Sequence, residues 1–271
     1  MRGKQSAGEP MRIEFLTDDN PLYVLPFFEE FLPRYGSEFE ITQISSCRPM
    51  GRRSRPRLLK SLAYLYGPLG IVRIASRWVA ARALGMLPRS SRTRRFYTLE
   101  QLCRAYSIPF ARISNPNDPT LVAETKKRGS DLLVSIACPY ILKEPLLTTP
   151  RLGCINMHHA PLPRYKGMMP TFWQMYHGEK KVGVTIHYMN AKIDEGTALF
   201  QGELEIQPGE SLDHLIQRSK RHGAHCMAHA LRSLASQTQK TIRIEGDKDS
   251  YFTFPTIAEI REFRRRGLRA I

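Results

Sequence analysis

A nearly continuous apolar run, Asp131-Leu-Leu-Val-Ser-Ile-Ala137, is the feature that most constrains the fold of this chain. A strand with one face in water alternates apolar and polar residues, whereas a continuous apolar run predicts a strand covered on both faces. Strands of that kind occur in parallel sheets whose connecting helices lie on both sides. The segment therefore predicts an α/β fold.

The segments before it repeat the same order of strand and helix. Residues 11–17 alternate and are rich in β-forming residues, a mostly helical stretch follows, and residues 39–45 form a second predicted strand. The predicted fold class is α/β, with an open, mainly parallel Rossmann-like sheet that has helices on both faces. No Gly-x-Gly-x-x-Gly sequence follows the first strand, so the dinucleotide-binding fingerprint is absent.

Composition divides the chain into four parts. Residues 1–10 lack an apolar core, so we expect a short disordered leader there and not a signal peptide. Residues 11–235 are expected to form the main domain, with residues 52–98 as an insertion. Residues 236–271 are expected to form a short C-terminal extension.

The insertion 52–98 carries most of the net charge. The chain has 41 Lys and Arg against 25 Asp and Glu, a net charge of +16, and twelve of the basic residues lie in this insertion, which has no acidic residue. Its middle predicts two short helices, interrupted near Gly67 and Gly70, with Trp78 among the apolar residues. This pattern is typical of a helix lying on an anionic membrane, and equally of a lid or dimer helix buried against protein.

The cysteines indicate a reducing compartment. There are five, and none forms a Cys-x-x-Cys pair, which argues against a disulfide framework and against a zinc knuckle. No apolar run is long and uncharged enough to span a bilayer. We therefore expect no metal and a cytoplasmic protein, with the basic insertion suggesting peripheral attachment at the inner face of the membrane.

Two polar residues on a later predicted strand mark a candidate site. Asn156 and His158 lie two positions apart, so their side chains point to the same face. Asp194 ends the next long strand, and neighbouring parallel strands would bring both ends to one rim of the sheet. For Asn156 and His158 alone, a satisfied core pair is the alternative explanation.

An amide, an imidazole and a carboxylate suit acyl transfer to an amine. His158 would accept a proton from the nucleophile, Asn156 would stabilise the oxyanion, and Asp194 would set the charge state of His158. The chain has no Gly-x-Ser-x-Gly nucleophile elbow, so direct transfer is favoured over an acyl-enzyme.

Three motifs carry a resemblance to a known family: Asn156-Met-His158, Leu162-Pro-Arg-Tyr-Lys-Gly167 and Ile193-Asp-Glu-Gly196. They resemble the Asn-x-His, Leu-Pro-x-x-x-Gly and Asp-x-Gly motifs of the folate-dependent formyltransferases. That family includes glycinamide ribonucleotide formyltransferase, methionyl-tRNA formyltransferase and the sugar N-formyltransferases. The resemblance extends from roughly residue 11 to residue 234 and implies the formyltransferase fold, with 10-formyltetrahydrofolate as co-substrate.

The resemblance also implies roles for individual residues. By motif, the catalytic residues would be Asn156, His158 and Asp194. Residues resembling the two family loops that hold the pterin ring are Ala137, Cys138, Pro139, Tyr140, Ile141 and Leu142, with Ile193, Glu195 and Gly196. The expected substrate-binding residues are His159, Ala160, Tyr165, Lys166 and Gly167. His159 and Ala160 replace the small residues and Ser usual in the family, which would alter the substrate side.

The expected activity is N-formylation of a primary amine on a small or lipid-linked acceptor, with an amino sugar as the leading candidate. An aminoacyl-tRNA acceptor fits the net charge, although the stretch after Leu204 is too short for the barrel domain that methionyl-tRNA formyltransferase appends. Two further alternatives are hydrolysis of 10-formyltetrahydrofolate and a catalytically silent adaptor on a membrane or nucleic acid. The acceptor and the oligomeric state stay open.

Overall fold

The structure, a computed structural model, describes residues 9–48, 55–93, 95–190, 196–244 and 250–271. Its strands are β1 (Arg12–Asp18), β2 (Glu40–Cys47), β3 (Phe110–Ile113), β4 (Leu132–Ile136), β5 (Cys154–His158), β6 (Lys166–Gly167), β7 (Lys181–Tyr188), β8 (Gly196–Glu205), β9 (Ile242–Ile244) and β10 (Tyr251–Phe252). Its helices are α1 (Leu25–Tyr35), α2 (Arg55–Leu84), α3 (Leu99–Ala105), α4 (Pro119–Arg128), α5 (Glu144–Leu147), α6 (Pro170–Tyr176), α7 (Leu212–Ala235) and α8 (Ile257–Arg265).

Eight strands form one sheet in the order β3-β2-β1-β4-β5-β7-β8-β9. The first five of these pair in parallel, and β7, β8 and β9 extend the sheet with antiparallel pairs. The expected fold class, an open and mainly parallel α/β sheet, is confirmed. The strand order reverses between β1 and β4, and open α/β sheets bind ligands at the carboxyl ends of strands at such a switch point.

One expectation about the site strands is wrong. Strand β7 runs antiparallel to β5, with Asn156 opposite His187 and His158 opposite Thr185. The parallel arrangement that would have brought two carboxyl ends to one rim therefore does not occur between these strands. The connection through the Leu-Pro-x-x-x-Gly loop and α6 returns the chain in the opposite direction.

Helices cover both faces of the sheet. On one face α1 and α7 lie over the larger core, where the ring of Phe15 packs edge-on against Phe28 and Phe31 at centroid distances of 5.3 and 5.6 Å. On the other face α4 and α5 pack on side chains that include Leu16 and Leu133. Every residue of β4 is buried, as its apolar run predicts.

The basic insertion folds as α2, in which two helical segments meet at Gly67. Gly67 has a φ of +69° and a ψ of 172°, a conformation that ends one helix and starts the next. Gly70 instead lies inside the second segment, buried where it meets Ile271. Only the first of the two expected interruptions therefore breaks the helix.

The C-terminal residues pack around the loop that follows β5. Strand β10 pairs with β6, and Phe252 stacks on Trp173 at 4.8 Å between ring centroids. Helix α8 begins with a capping box at Thr256 and stacks Phe263 on Phe172 at 4.7 Å. The aromatic residues of the C-terminal stretch therefore have a structural role in this packing.

Several expectations fall outside the described residues. These are most of the leader (residues 1–8) and Ile193, Asp194 and Glu195. The proposed domain boundaries stay predictions. Within the described ranges, no helix has the length and apolar character needed to cross a bilayer.

Candidate active site

The two polar residues of β5 point away from the main core. Ile155 and Met157 belong to the core under α1 and α7, so Asn156 and His158 project to the opposite face of the sheet. Asn156 is half-buried and His158 is buried. The structure therefore brings the predicted amide and imidazole together on one face.

A buried histidine orients the Asn156 amide. Asn156 Nδ2 lies 3.3 Å from Nε2 of His187, whose Nδ1 lies 3.0 Å from the backbone carbonyl of Tyr188. Because a carbonyl only accepts, Nδ1 of His187 carries the proton and Nε2 accepts from the amide. One N–H of Asn156 is thus held by His187, and the amide group can face a ligand with a defined orientation.

A backbone carbonyl sets the tautomer of His158. Its Nε2 lies 2.8 Å from the carbonyl oxygen of Tyr165, so Nε2 carries a proton. In the neutral ring the lone pair is then on Nδ1, which is the nitrogen able to accept a proton. His158 is arranged as a base with a fixed orientation.

Side chains of β7 and β8 hold the loop that supplies this carbonyl. Thr185 Oγ1 donates to the Ala160 carbonyl at 2.7 Å and accepts from the Leu162 N–H at 3.2 Å. Gln201 Nε2 donates to the Leu162 carbonyl at 2.7 Å. These bonds fix the start of the Leu-Pro-x-x-x-Gly loop relative to the sheet.

Most of the residues in this loop that were expected to bind the substrate have side chains packed against the protein. Ala160 is fully buried, and Tyr165 stacks on Phe252 at 5.5 Å while its hydroxyl donates to Glu179 at 2.8 Å. Lys166 is also buried. Their roles in substrate binding stay predictions.

Gly167 closes the loop for a steric reason. It has a φ of +89°, and a Cβ added there would overlap the carbonyl oxygen of Phe252. Glycine therefore permits the close pairing of β6 with β10. Contact of Gly167 with a substrate stays a prediction.

His159 lies on the opposite face of the sheet from His158. Its Nδ1 is 2.7 Å from Ser219 Oγ on α7, and its Nε2 is buried without a hydrogen-bond partner among the described residues. Burial, followed by the charge of Lys220, holds the pKa of His159 well below its usual value. A neutral imidazole, with one ring nitrogen that no described residue bonds, thus lies directly after β5.

Two charged groups lie near the switch point, the buried Lys220 of α7 and the half-buried Asp18 of β1. Lys220 is 6% exposed, and burial lowers the pKa of its ammonium group to about 8. Asp18 ends β1, and burial raises the pKa of its carboxyl group to about 6, opposed in part by a backbone hydrogen bond from Asn20 and the charge of Lys220. Thr17 Oγ1 is also buried without a hydrogen-bond partner in the described part of the chain.

Sequence reasoning missed His187, Lys220 and Asp18. A single histidine on an apolar strand and a lysine within a helix give no local signal of their roles. Their positions follow from the pairing of β5 with β7 and from the packing of α7 on the sheet.

The predicted pterin loop follows β4 at the switch point. Ala137 has a φ of +55°, Leu142 is buried, and Ile141 is 50% exposed with its carbonyl bonded by Asn117 Nδ2 at 2.9 Å. Pro139 and half-buried Tyr140 lie between them. An anchored backbone beside an exposed aliphatic side chain fits a flat heterocycle edged by hydrogen-bonding groups, such as the pterin ring of 10-formyltetrahydrofolate.

Two thiols lie at the base of this loop. Cys138 Sγ is 3.6 Å from Cys47 Sγ at the end of β2. The hydrogen bond from Cys47 lowers the pKa of Cys138 and raises the pKa of Cys47.

Gly196, expected in the second folate loop, begins β8 opposite Ile244. Among the described residues, no group of three or more His, Cys, Asp or Glu side chains is arranged to hold a metal ion.

Comparison with known proteins decides the family. The formyl transferase profile matches residues 89–231, more than half of the chain. The chain belongs to the formyl transferase family. A curated relative, the methionyl-tRNA formyltransferase of Syntrophus aciditrophicus (strain SB), is 37% identical over 147 residues, which cover 54% of this chain and 47% of that protein. The chain spans about half the length of the curated relatives it matches.

Solved structures show the same fold. Glycinamide ribonucleotide transformylase 1 from Symbiobacterium toebii superposes with a TM-score of 0.59 at 17% identity, covering 90% of this chain and 100% of that one. A sugar N-formyltransferase from Shewanella sp FDAARGOS_354 superposes with a TM-score of 0.52 at 18% identity, covering 94% of this chain and 87% of that one. The family resemblance carried by the three motifs is confirmed.

Proposed function

We propose that this formyl transferase moves a formyl group from 10-formyltetrahydrofolate directly to a primary amine. The observation that supports it most is the pair of hydrogen bonds that orient the β5 residues. His187 holds the amide of Asn156, and the Tyr165 carbonyl holds His158 with Nδ1 as its basic nitrogen. A fixed donor beside a fixed base is what acyl transfer to an amine requires.

In this mechanism the acceptor nitrogen attacks the formyl carbon. His158 Nδ1 takes the proton that the nitrogen loses, and an N–H of Asn156 donates to the formyl oxygen as negative charge develops there. The new C–N bond forms as the bond from the carbon to the folate nitrogen breaks, and the proton held by His158 is returned to that leaving nitrogen. Asp194, predicted from its motif, would stabilise the imidazolium form of His158.

The donor is proposed to bind along the loop 137–142. When bound, 10-formyltetrahydrofolate supplies an electrophilic formyl carbon on a nitrogen leaving group. Ile141 would offer apolar surface to the ring, and the backbone from Ala137 to Leu142 would offer its polar groups. The motif residues Ile193, Glu195 and Gly196 would approach from the other side of the ring.

For the acceptor we propose the amine of an amino sugar, either free or linked to a lipid. Similarity of fold to a sugar N-formyltransferase supports this class. Half-buried Asp18, at the carboxyl end of β1 beside the switch point, offers a hydrogen-bonding group that a polyhydroxylated acceptor could use. The five free cysteines support a reducing, cytoplasmic location.

Methionyl-tRNA is the second candidate acceptor. A 37% identical relative is a methionyl-tRNA formyltransferase, and a net charge of +16 attracts nucleic acid. The two candidates differ in the size of the acceptor and in the dependence of its binding on salt.

A screen of amine acceptors by mass spectrometry tests the proposal. The enzyme is incubated with 10-formyltetrahydrofolate and either amino sugars and their nucleotide-linked and lipid-linked forms or methionyl-tRNA. We expect addition of one formyl group to an amino sugar, retained at high salt, and none to methionyl-tRNA. Formylation of methionyl-tRNA alone would establish the second candidate, and full-speed folate release without any acceptor would indicate a hydrolase.

A further inference from the structure

The outer face of α2 carries a stripe of exposed aliphatic side chains. Leu69, Val72, Val79 and Met86 are 86, 65, 62 and 80% exposed. Their spacings of three, seven and seven residues place them on one side of a helix. Helical hydrogen bonding continues past Leu84, because the Gly85 N–H donates to the Ala81 carbonyl at 2.9 Å. We call these four residues the lipid face.

The opposite side of the same helix is anchored to the protein. Gly70 and Ala81 are buried, and Arg77 pairs with Asp213 at 2.8 Å. At the edge of the stripe, Arg82 pairs with Asp19 at 2.9 Å. These contacts fix how the helix is rotated about its axis. The lipid face therefore points outward because its opposite side is bound.

Basic residues surround the lipid face, and the segment that carries it contains no acidic residue. No Asp or Glu occurs from residue 49 to residue 99. Arg73 and Arg92 are exposed and make no ion pair with a described residue. Trp78 is partly exposed beside the stripe, with the Arg82 guanidinium 4.7 Å from its ring centroid. Exposed aliphatic residues, an amphipathic aromatic and unpaired cations are the combination that binds anionic bilayers.

Nucleic acid and a second copy of this chain are two other partners that could cover this face, and both fit it less well. Nucleic acid would use the cations, but phosphate contacts give no reason for four exposed aliphatic side chains. A second copy of this chain would cover the aliphatic stripe, but it would bring two segments of like charge together. An anionic phospholipid surface uses both features.

We propose that the lipid face docks on the surface of an anionic phospholipid membrane. Leu69, Val72, Val79 and Met86 enter the acyl boundary, and Arg73 and Arg92 meet the headgroups. Because Arg82 binds Asp19, next to Asp18 at the end of β1, docking holds the switch-point edge close to the bilayer. Docking would bring the site close to a lipid-linked acceptor, and this consequence rests on the proposed function. Docking itself does not rest on it.

Vesicle sedimentation tests the proposal with the full chain. The wild type, the double variant Leu69→Asp with Val79→Asp, and the control Ile242→Asp are mixed with vesicles of phosphatidylcholine with or without phosphatidylglycerol. Ile242 is a matched control because it is 54% exposed on β9, the strand at the edge of the sheet. All variants are first compared with the wild type by thermal unfolding, and Leu69→Ser with Val79→Ser replaces the double variant if that one does not fold.

We expect the wild type and Ile242→Asp to sediment with phosphatidylglycerol vesicles and not with pure phosphatidylcholine. The double variant should bind at least tenfold more weakly. Equal partitioning of the wild type and the double variant, or no vesicle binding by the wild type, would overturn the proposal.

Two further measurements separate the other occupants. Sedimentation velocity that shows a wild-type dimer and a monomeric double variant, without vesicle binding, would assign the stripe to a contact between copies. Binding of tRNA that needs Arg73 and Arg92 but not the aliphatic residues, without vesicle binding, would assign the segment to nucleic acid. Either result overturns membrane docking. Formyl transfer to a soluble amine should be the same in the double variant, so failure of docking and failure of the proposed chemistry are distinguishable.

Discussion

The carboxyl end of β5 and the outer face of α2 differ in which side chains they expose to solvent. At the end of β5, polar side chains are buried or half-buried and are oriented by specific bonds, as with Asn156 on His187 and His158 on the Tyr165 carbonyl. On α2, Leu69 and Met86 are exposed and neighbouring arginines lack acidic partners within their own segment.

This difference separates two kinds of site. Bonded, buried polar groups keep one geometry, which chemistry requires. Exposing an apolar face to water is unfavourable, and burying that face against a partner is favourable. An exposed apolar face is therefore suited to attachment. Substitutions in one region should therefore leave the function of the other unchanged, and four predictions test that separation.

The largest effect is expected for His158→Ala. Removing the base should lower kcat about 10³-fold, within the usual range for general base catalysis. Binding of the folate donor and of vesicles should stay nearly unchanged. Steady-state kinetics and a folate-binding titration measure both, with His229→Ala on the exposed side of α7 as the matched histidine control. Wild-type turnover in His158→Ala would remove this residue from the mechanism.

Asn156→Ala should lower kcat about 10²-fold or more, as expected for loss of one oxyanion donor. His187→Ala should have a smaller effect, because His187 acts only by orienting Asn156. The double variant should therefore be no slower than Asn156→Ala, and His187→Gln, which keeps an acceptor, should recover part of the activity. Losses that multiply in the double variant would show that His187 acts independently.

Lys220→Met should stabilise the protein near neutral pH by about 1–3 kcal/mol, because it removes a buried ammonium group. The pKa of Lys220 is lowered from 10.5 to about 8, so the folded state releases its proton at a lower pH than the unfolded state. Wild-type stability from this group therefore rises between pH 8 and pH 10.5, and the advantage of Lys220→Met fades over that window.

Urea unfolding at several pH values measures this advantage, and acceptor KM measures its functional consequence. We expect KM to increase in Lys220→Met, because the charge of Lys220 acts on Asp18, which we propose contacts the acceptor. A variant with no gain in stability below pH 8 would show that Lys220 is solvated or paired in the folded protein.

The smallest effect on chemistry is expected from Leu69→Asp with Val79→Asp. Both side chains are exposed, and surface substitutions usually change unfolding free energy by less than about 0.5 kcal/mol. Turnover of a soluble amine should match the wild type. A large loss of turnover would mean that the outer face of α2 contributes to the catalytic geometry, and the separation between the two regions would fail.

Local sequence signals predicted much of the fold. The apolar run of β4 is buried throughout, and the strands expected at residues 11–17 and 39–45 are present as β1 and β2. The period of two in β5 correctly placed Asn156 and His158 on one face. These features depend on residues close together in the chain.

Features that depend on distant residues were not predicted. The antiparallel direction of β7, the bond from Asn156 to His187 and the buried position of Lys220 each follow from packing between separate elements. Nonlocal contacts therefore decide the supporting residues of the site.

A single-turnover experiment with isotopically labelled formyl donor tests the central claim most directly. The wild type and His158→Ala are each mixed with labelled 10-formyltetrahydrofolate and an amino-sugar acceptor, and the label is followed by mass spectrometry. Direct transfer predicts that the wild type places the label on the acceptor amine and that His158→Ala does so far more slowly. Label released by the wild type as free formate, or transferred equally fast by both proteins, would contradict it.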